Sequence, residues 1–246
     1  MPQSLEVLDS RVGPPKRGIL GPYQERVMVI FTCLARDGWP IPNVTWWRGD
    51  NMLDGAWEMS GPGLVRNDLV VPSITRDWHN NTLTCAATNT DLVPPMTVSV
   101  VIHMYLLPTS VVITGPTSAR EGQQIRVRCS SRGSRPSAQL SWSLRGEIIP
   151  AEKENTVYGR VTSSTLTINM TREDNGSQVT CKATNPATPG NSITNSTVLT
   201  VHYPPTVRAS LGRSLQPSLL KEGDDVYFTC QVDANPPVSS IAWYHE

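Results

Sequence analysis

The stretch "FTCLARDGWPIPNVTWW", residues 31–47, contains a cysteine, Cys33, and a tryptophan thirteen residues later, Trp46. The same spacing occurs twice more along the chain, and the first two occurrences are each followed by a second cysteine fifty-two residues after the first one. The three sets are Cys33, Trp46 and Cys85; Cys129, Trp142 and Cys181; and Cys230 with Trp243. A repeat of about one hundred residues has the size of a small domain and is too long for a solenoid unit.

This repeat predicts two complete domains, residues 1–104 and 105–203, followed by the N-terminal part of a truncated third domain, residues 204–246. We expect the chain to be a fragment, with Cys230 unpaired because its partner lies beyond Glu246. The first strands of the third domain would then expose core residues that have no opposing sheet, namely Val226, Phe228, Ile241 and Trp243.

Apolar and polar residues alternate before each first cysteine, most clearly in the second repeat. Ile125, Val127 and Cys129 share one face there, while the residues between them are polar. Period-two alternation predicts a half-buried antiparallel strand. Further apolar pairs, such as Leu69 with Val71 and Leu166 with Ile168, recur between turn-forming residues, which is typical of an all-β sandwich.

The composition narrows the classes of function. The formal net charge is zero and the basic residues are scattered, which argues against binding of nucleic acid or of an anionic membrane surface. Five cysteines without a CxxC pair or nearby histidines indicate disulfides rather than a zinc site, and therefore an oxidising compartment. The residues show neither a signal peptide nor a membrane span, so we expect both to lie in missing segments.

The Cys–Trp–Cys spacing within short strands resembles the immunoglobulin fold, in the C2- and I-type sets of nephrin-like and related adhesion receptors. The resemblance implies tandem immunoglobulin-like β-sandwiches with disulfides Cys33–Cys85 and Cys129–Cys181 joining the two sheets. It also implies that Trp46, Trp142 and Trp243 are the core tryptophans. The usual tyrosine two residues before the second cysteine is absent, since Leu83 and Val179 occupy that place.

Two segments carry a more specific resemblance. "GPYQERVMVIFTCLARDGWPIPNVTWWRGD", residues 21–50, and "LLKEGDDVYFTCQVDANPP", residues 219–237, resemble the Sidestep family of insect neuronal surface receptors. The resemblance implies a cell-surface receptor in axon guidance, on the extracellular side of the plasma membrane, with an immunoglobulin-superfamily partner of the Beaten-path type. It further implies a membrane anchor outside this chain and a recognition domain upstream of Met1.

Tryptophan is concentrated in the first repeat, which holds five of the seven. Because Trp46 belongs to the core by its spacing, Trp47 is expected to face outward beside Arg48. Outward tryptophan and arginine are favoured at binding hot spots, so Trp47 and Arg48 are the candidate partner contact. The alternative is that neighbouring strands cover Trp47 or that it stacks with Arg48.

Five N-glycosylation motifs are present, at Asn43, Asn80, Asn169, Asn175 and Asn195. We expect all five near loops or at outward strand positions. The alternative is chance, because such short motifs arise often in strands rich in Ser, Thr and Asn.

Catalysis finds no support in the sequence. The four histidines lie in separate segments and no nucleophile, metalloprotease or phosphate-binding motif is present. We therefore predict no enzyme activity, cofactor, metal or small-molecule substrate. Two alternatives to the recognition receptor remain: spacer domains of an extracellular matrix array, and the ectodomain of a receptor enzyme.

Overall fold

The chain folds almost entirely as β-strands. A computed structural model describes residues 1–150, 156–158, 160–212, 218 and 220–244, and two short 3-10 turns, Arg76–Trp78 and Arg172–Asp174, lie between strands in these residues. The predicted all-β class is thereby confirmed. The fold divides into two compact units. Unit 1 comprises Met1–Thr109, Gly133–Ala138 and Thr184–Ser192, and unit 2 comprises Ser110–Arg132, Gln139–Ala183 and Ile193–Glu246.

Unit 1 is built from nine strands in two sheets. One sheet has the order β1-β3-β7-β6 and the other has the order β2-β9-β8-β4-β5. The strands are β1 (Ser4–Asp9), β2 (Ile19–Gln24), β3 (Val29–Arg36), β4 (Asn43–Arg48), β5 (Asn51–Asp54), β6 (Glu58–Gly61), β7 (Leu64–Val71), β8 (Thr82–Thr88) and β9 (Met96–Tyr105). Nearly all neighbouring strands are antiparallel, as in an immunoglobulin sandwich.

The N-terminal segment of unit 1 contributes a strand to each sheet. β1 pairs antiparallel with β3, whereas β2 pairs parallel with β9. The register of β2 shifts between Leu20 and Tyr23, where Gly21 has a φ of 111°. A Cβ at Gly21 would collide with the carbonyl oxygen of His103, so only glycine allows the two backbones this approach.

The core of unit 1 lies between its two sheets. Cys33 on β3 and Cys85 on β8 form a disulfide with Cα atoms 6.3 Å apart, and both cysteines are fully buried. Trp46 is also fully buried, and its ring centroid lies 6.4 Å from that of Phe31. The indole Nε1 of Trp46 donates to the backbone oxygen of Asn67 at 3.2 Å. The buried indole therefore leaves no polar atom unpaired.

Unit 2 contains a second sandwich and the strands that follow it. The strands are β10 (Ser110–Thr114), β11 (Ser118–Arg120), β12 (Gln124–Arg132), β13 (Gln139–Leu144), β14 (Glu147–Ile149), β15 (Thr156–Tyr158), β16 (Val161–Asn169), β17 (Gln178–Thr184), β18 (Ser192–Val198), β19 (Thr200–Leu211) and β20 (Phe228–Asn235). The sheet orders are β10-β12-β16-β15, β14-β13-β17-β18 and β11-β19-β20. The disulfide Cys129–Cys181 links β12 to β17, and Trp142 is buried.

The last part of unit 2 leaves apolar side chains in solvent. β19 pairs in parallel with β11 through its first residues and antiparallel with β20 through the rest. Phe228 is 59% exposed and Trp243 is 58% exposed, and Val226 and Ile241 are exposed as well. Cys230 is half-buried and forms no disulfide within the described residues. Buried apolar area is the main stabilising term of a sandwich, so this segment lacks much of that stabilisation.

Each unit holds the segment after its sandwich with an arginine–glutamate pair. In unit 1 the guanidinium of Arg76 bonds both carboxylate oxygens of Glu25, at 3.0 and 2.9 Å. The same two side chains bind Leu107: its N–H donates to Glu25 at 2.7 Å, and its carbonyl accepts from Arg76 at 3.2 Å. Such two-point pairs combine charge with a fixed geometry. The backbone of Leu107 is therefore fixed through both of its polar groups.

Unit 2 repeats the arrangement with Arg172 and Glu121, bonded at 2.8 and 2.7 Å. Arg172 also donates to Thr206 at 2.8 Å and lies over the ring of Tyr203, 5.0 Å from its centroid. The hydrogen bond from Arg172 holds the pKa of the Glu121 carboxyl below its usual value. The pair therefore persists at neutral pH and is lost only as the pH falls through that lowered pKa.

Replacing Arg76 with alanine is expected to speed hydrogen exchange at the amide of Leu107 by about tenfold. This corresponds to weakening one charge-assisted hydrogen bond by roughly 1.5 kcal/mol. Amide exchange resolved to residues 105–109 measures the effect. The matched variant Arg172→Ala should leave Leu107 unchanged and act on Thr206 instead. Equal exchange in wild type and Arg76→Ala would show that the pair does not hold the segment.

Candidate interaction surface

The outer side of the β2-β9-β8-β4-β5 sheet in unit 1 carries no charged side chain along its strands. Side chains alternate along each strand, so every second residue faces outward. We call the part of this outward set that lies around β4 and β8, and that includes β9 only as far as Val101, the uncharged face; none of its members is buried, and His103 and Tyr105 continue the row on β9 beyond it. It consists of Ile19, Asn43, Thr45, Trp47, Met52, Thr82, Thr84, Ala86, Thr88, Thr97, Ser99 and Val101. Its chemistry is that of small hydroxyls around one large aromatic side chain.

Trp47 lies near the edge of the uncharged face. It pairs across the sheet with Thr84 on one side and with Met52 on the other. Its indole Nε1 donates to Thr45 Oγ1 at 2.8 Å, and the side chain is half-buried. Thr84 continues the row by a 2.8 Å hydrogen bond to Ser99. Because the only polar atom of the indole is already bonded, the part of Trp47 that reaches solvent is apolar.

Arg48 does not lie beside Trp47, contrary to the sequence-based expectation. Its guanidinium carbon lies 4.9 Å above the ring of Trp78, a buried core residue, and its Nη1 bonds Asp77 at 3.0 Å. The hydroxyl of Thr75, and after it Arg48, hold the pKa of the Asp77 carboxyl below its ordinary value. Adjacent strand residues point to opposite sides, so Arg48 covers the end of the core while Trp47 faces outward. Only Trp47 remains a candidate contact.

Four of the five N-glycosylation motifs place their asparagine in solvent. Asn43, Asn80, Asn169 and Asn175 are exposed. Asn43 begins β4, and Asn80 precedes β8, with a φ of 61°. The threonines that complete these two motifs, Thr45 and Thr82, both belong to the uncharged face.

Asn195 differs from the other four, although we expected it at an outward position. It is half-buried on β18, and its Nδ2 donates to the carbonyl of Val111 at 3.0 Å. The outward neighbour is Ser196, which bonds Thr180 across the sheet. Nδ2 is the atom that a glycan modifies, so a sugar at Asn195 competes with a contact of the folded state.

Two of the histidines lie close to each other in the structure, which the sequence did not suggest. The rings of His79 and His103 lie 5.1 Å apart, and His79 Nδ1 accepts from the N–H of Met104. Spacing along the chain gives no signal for this pair, because it depends on how β8 and β9 are paired. His245 lies outside the described residues.

The described part of the chain shows neither a candidate metal site nor a helix that could span a membrane. Within it, no group of three or more His, Cys, Asp or Glu side chains is arranged to hold a metal ion. None of the helical segments there has the length and apolar composition of a membrane span.

Comparison with known proteins gives matches over most of the chain. Residues 16–93 and 111–192 match the family profile of the CD80-like C2-set immunoglobulin domain. Human nephrin is 26% identical over 218 residues, which are 87% of this chain and 18% of nephrin. Human cell adhesion molecule 4 is 32% identical over 145 residues, which are 58% of this chain and 36% of that protein. This chain therefore spans only a small part of the relatives it matches.

Among solved structures, the ectodomain of mouse nectin-like molecule 4 superimposes with a TM-score of 0.61. The match covers 87% of this chain and 76% of that ectodomain, at 24% sequence identity. At this identity the likeness establishes the fold alone.

Proposed function

Because this chain belongs to the family of CD80-like C2-set immunoglobulin domains, we propose that it is part of the ectodomain of a cell-surface recognition and adhesion receptor. Its homologues nephrin and cell adhesion molecule 4 are adhesion receptors of the immunoglobulin superfamily. Two sandwiches with buried inter-sheet disulfides suit an oxidising, extracellular environment.

The observation that carries this proposal is the uncharged face of unit 1. Binding hot spots favour tryptophan, and Trp47 lies among small side chains that do not hinder an approaching surface. The face has no charge that would require desolvation or an opposite charge on the partner. A standard interface uses roughly 20–30 residues per partner, and the uncharged face offers about half that number. It therefore suits a weak contact with another protein, not a tight one.

At a finer level, we place the chain with the Sidestep family of neuronal receptors. The support is the resemblance carried by residues 21–50 and 219–237, which include Gly21–Tyr23, the part of β2 where its pairing with β9 shifts register. The proposed partner is an immunoglobulin-superfamily receptor of the Beaten-path type, and the proposed role is axon guidance at the extracellular side of the plasma membrane.

Binding to the ectodomain of a Beaten-path-type receptor tests the proposal. Surface plasmon resonance on the chain with enzymatically trimmed glycans should give weak binding, with a dissociation constant on the order of micromolar. Trp47→Ala should weaken it at least about tenfold, the effect of losing one hot spot. Met59→Ala is the matched control, because Met59 is 51% exposed on β6 of the other sheet.

Two outcomes would contradict the proposal. Absence of binding to every Beaten-path-type receptor, both by this chain and by the chain extended with its upstream recognition domain, would remove the finer assignment. Binding that Trp47→Ala leaves unchanged, while Met59→Ala abolishes it, would move the contact to the other sheet.

A further inference from the structure

We infer that an N-linked oligosaccharide on Asn43 lies across the uncharged face of unit 1 and controls access to Trp47. Whether the sugar covers the face depends on this chain alone. The expected effect on partner binding rests on the proposed function. The occupant is a neutral oligosaccharide attached to the face that it covers.

Strand geometry puts the attachment point on the face. Asn43, Thr45 and Trp47 are alternate residues of β4, and Asn43 is exposed. At about 3.4 Å per residue, Asn43 and Trp47 are roughly 14 Å apart along the strand. A sugar chain that starts at Asn43 and follows β4 passes Thr45 and reaches the indole. Asn43 pairs with Thr88 at one end of β8, so the sugar chain that starts there can extend over β8 as well as along β4.

The chemistry of the face fits a neutral sugar. The indole of Trp47 already donates to Thr45, so the part of the ring that reaches solvent is apolar and needs no hydrogen-bond partner. An aromatic ring face carries partial negative charge and attracts the slightly positive C–H groups of a pyranose. The hydroxyls of Thr84 and Ser99 offer hydrogen bonds to sugar oxygens. The absence of charged side chains on the face means that no ion loses its hydration when the sugar settles there.

Comparison of the two sandwiches gives an independent argument. Relative to the core tryptophan, Asn43 corresponds to Gln139 and Trp47 corresponds to Ser143. The unit that presents an outward tryptophan thus carries the glycosylation motif three residues before its core tryptophan. The other unit has neither feature. The glycosylation motif at Asn43 and the outward Trp47 therefore occur together on β4 of unit 1, and both are absent from the corresponding strand of unit 2.

The second motif of unit 1 lies at the opposite end of the same face. Asn80 precedes β8 and its threonine, Thr82, is an outward residue of that strand. Thr88, the cross-strand neighbour of Asn43, is eight residues from Asn80, roughly 27 Å along an extended strand. A glycan at Asn80 starts about 14 Å along the chain from Thr84, the cross-strand neighbour of Trp47, so it approaches the indole from the opposite end of the face, and Asn80→Gln in the footprint below measures its separate contribution.

Oxidative footprinting of the secreted glycoprotein tests the inference without a partner. The oxidation rates of Trp47 and Met52 should rise several-fold in Asn43→Gln relative to wild type, while Met59 on β6 is unchanged. The matched control is Asn169→Gln, which removes an exposed motif from unit 2 and should leave Trp47 and Met52 as in wild type. Mass spectrometry of the same samples gives the occupancy of Asn43. Equal rates in wild type and Asn43→Gln, with Asn43 fully occupied, would overturn the inference, as would an unoccupied Asn43.

Binding to the Beaten-path-type receptor separates this inference from the proposed function. Asn43→Gln should bind more tightly than fully glycosylated wild type, and the additional variant Trp47→Ala should remove the gain. Equal binding by occupied wild type and Asn43→Gln would overturn the control of access. Protection of Trp47 in the footprint, with no binding by any form of this chain, supports the covered face and overturns the proposed contact between the uncharged face and that partner.

Discussion

Replacing Trp46 with alanine is expected to lower the free energy of unfolding of unit 1 by about 3–5 kcal/mol. The side chain is fully buried beside the Cys33–Cys85 disulfide, and its removal leaves a cavity between two sheets that are joined covalently and cannot collapse to fill it. The backbone oxygen of Asn67 also loses its partner, the indole Nε1. The loss is a large share of the total stability expected of a domain this size.

Urea titration followed by hydrogen exchange resolves the two units and measures this loss. Unit 2 serves as an internal reference, because its own tryptophan, Trp142, is intact. Trp47→Ala is the matched variant, since it removes the same side chain from the neighbouring, half-buried position and should cost less than about 1 kcal/mol. A similar loss for Trp46→Ala and Trp47→Ala would contradict the assignment of one residue to the core and the other to the surface.

Removing the disulfide of unit 1 by Cys33→Ala with Cys85→Ala should cost about 4 kcal/mol. In the chain-entropy model this is the closure term for a loop of about fifty residues. The sequence separation is 52 residues in both units, so Cys129→Ala with Cys181→Ala should cost unit 2 the same amount. Exchange-resolved urea titrations of the two double variants make the comparison directly.

Any difference between the two double variants then reports native packing, because the loop term is common to both. Unit 1 also has Phe31 and Trp78, whose rings stack with centroids 6.2 Å apart. Losses below about 1 kcal/mol in both units would show that the crosslinks constrain the unfolded chain much less than the loop length implies.

The strands and the core could be predicted from the sequence because they depend on local alternation. Ile125 and Val127 are buried on β12, and Leu69 and Val71 are buried on β7, as the period-two pattern indicates. Leu140 on β13 is only half-buried, whereas Val44, at the corresponding position of β4, is fully buried. The pattern assigns a face to a residue but not its depth.

Apart from the two disulfides, the side-chain contacts that join distant segments were not predicted. The position of Arg48 over Trp78 depends on the turn after β7, so the spacing of residues around Arg48 does not indicate it. The arginine–glutamate pairs did leave a signal. Glu25 and Glu121 each precede the first cysteine of their repeat by eight residues, and Arg76 and Arg172 each precede the second by nine. Aligning the repeats on their cysteines would have found both pairs, because equal spacing in equivalent folds puts the residues at equivalent places.

The parallel pairing of β2 with β9 determines how unit 1 responds to mechanical tension. β2 lies near the N-terminus of the unit and β9 near its C-terminus, and the two strands run in the same direction. Pulling the ends apart therefore slides one strand along the other, and the hydrogen bonds on both sides of the register shift at Leu20–Tyr23 share the load instead of opening one after another. In unit 2 the corresponding pair, β11 with β19, has three residue pairs where β2 and β9 have four. Under such tension we expect the sandwich with the uncharged face to be the stronger of the two.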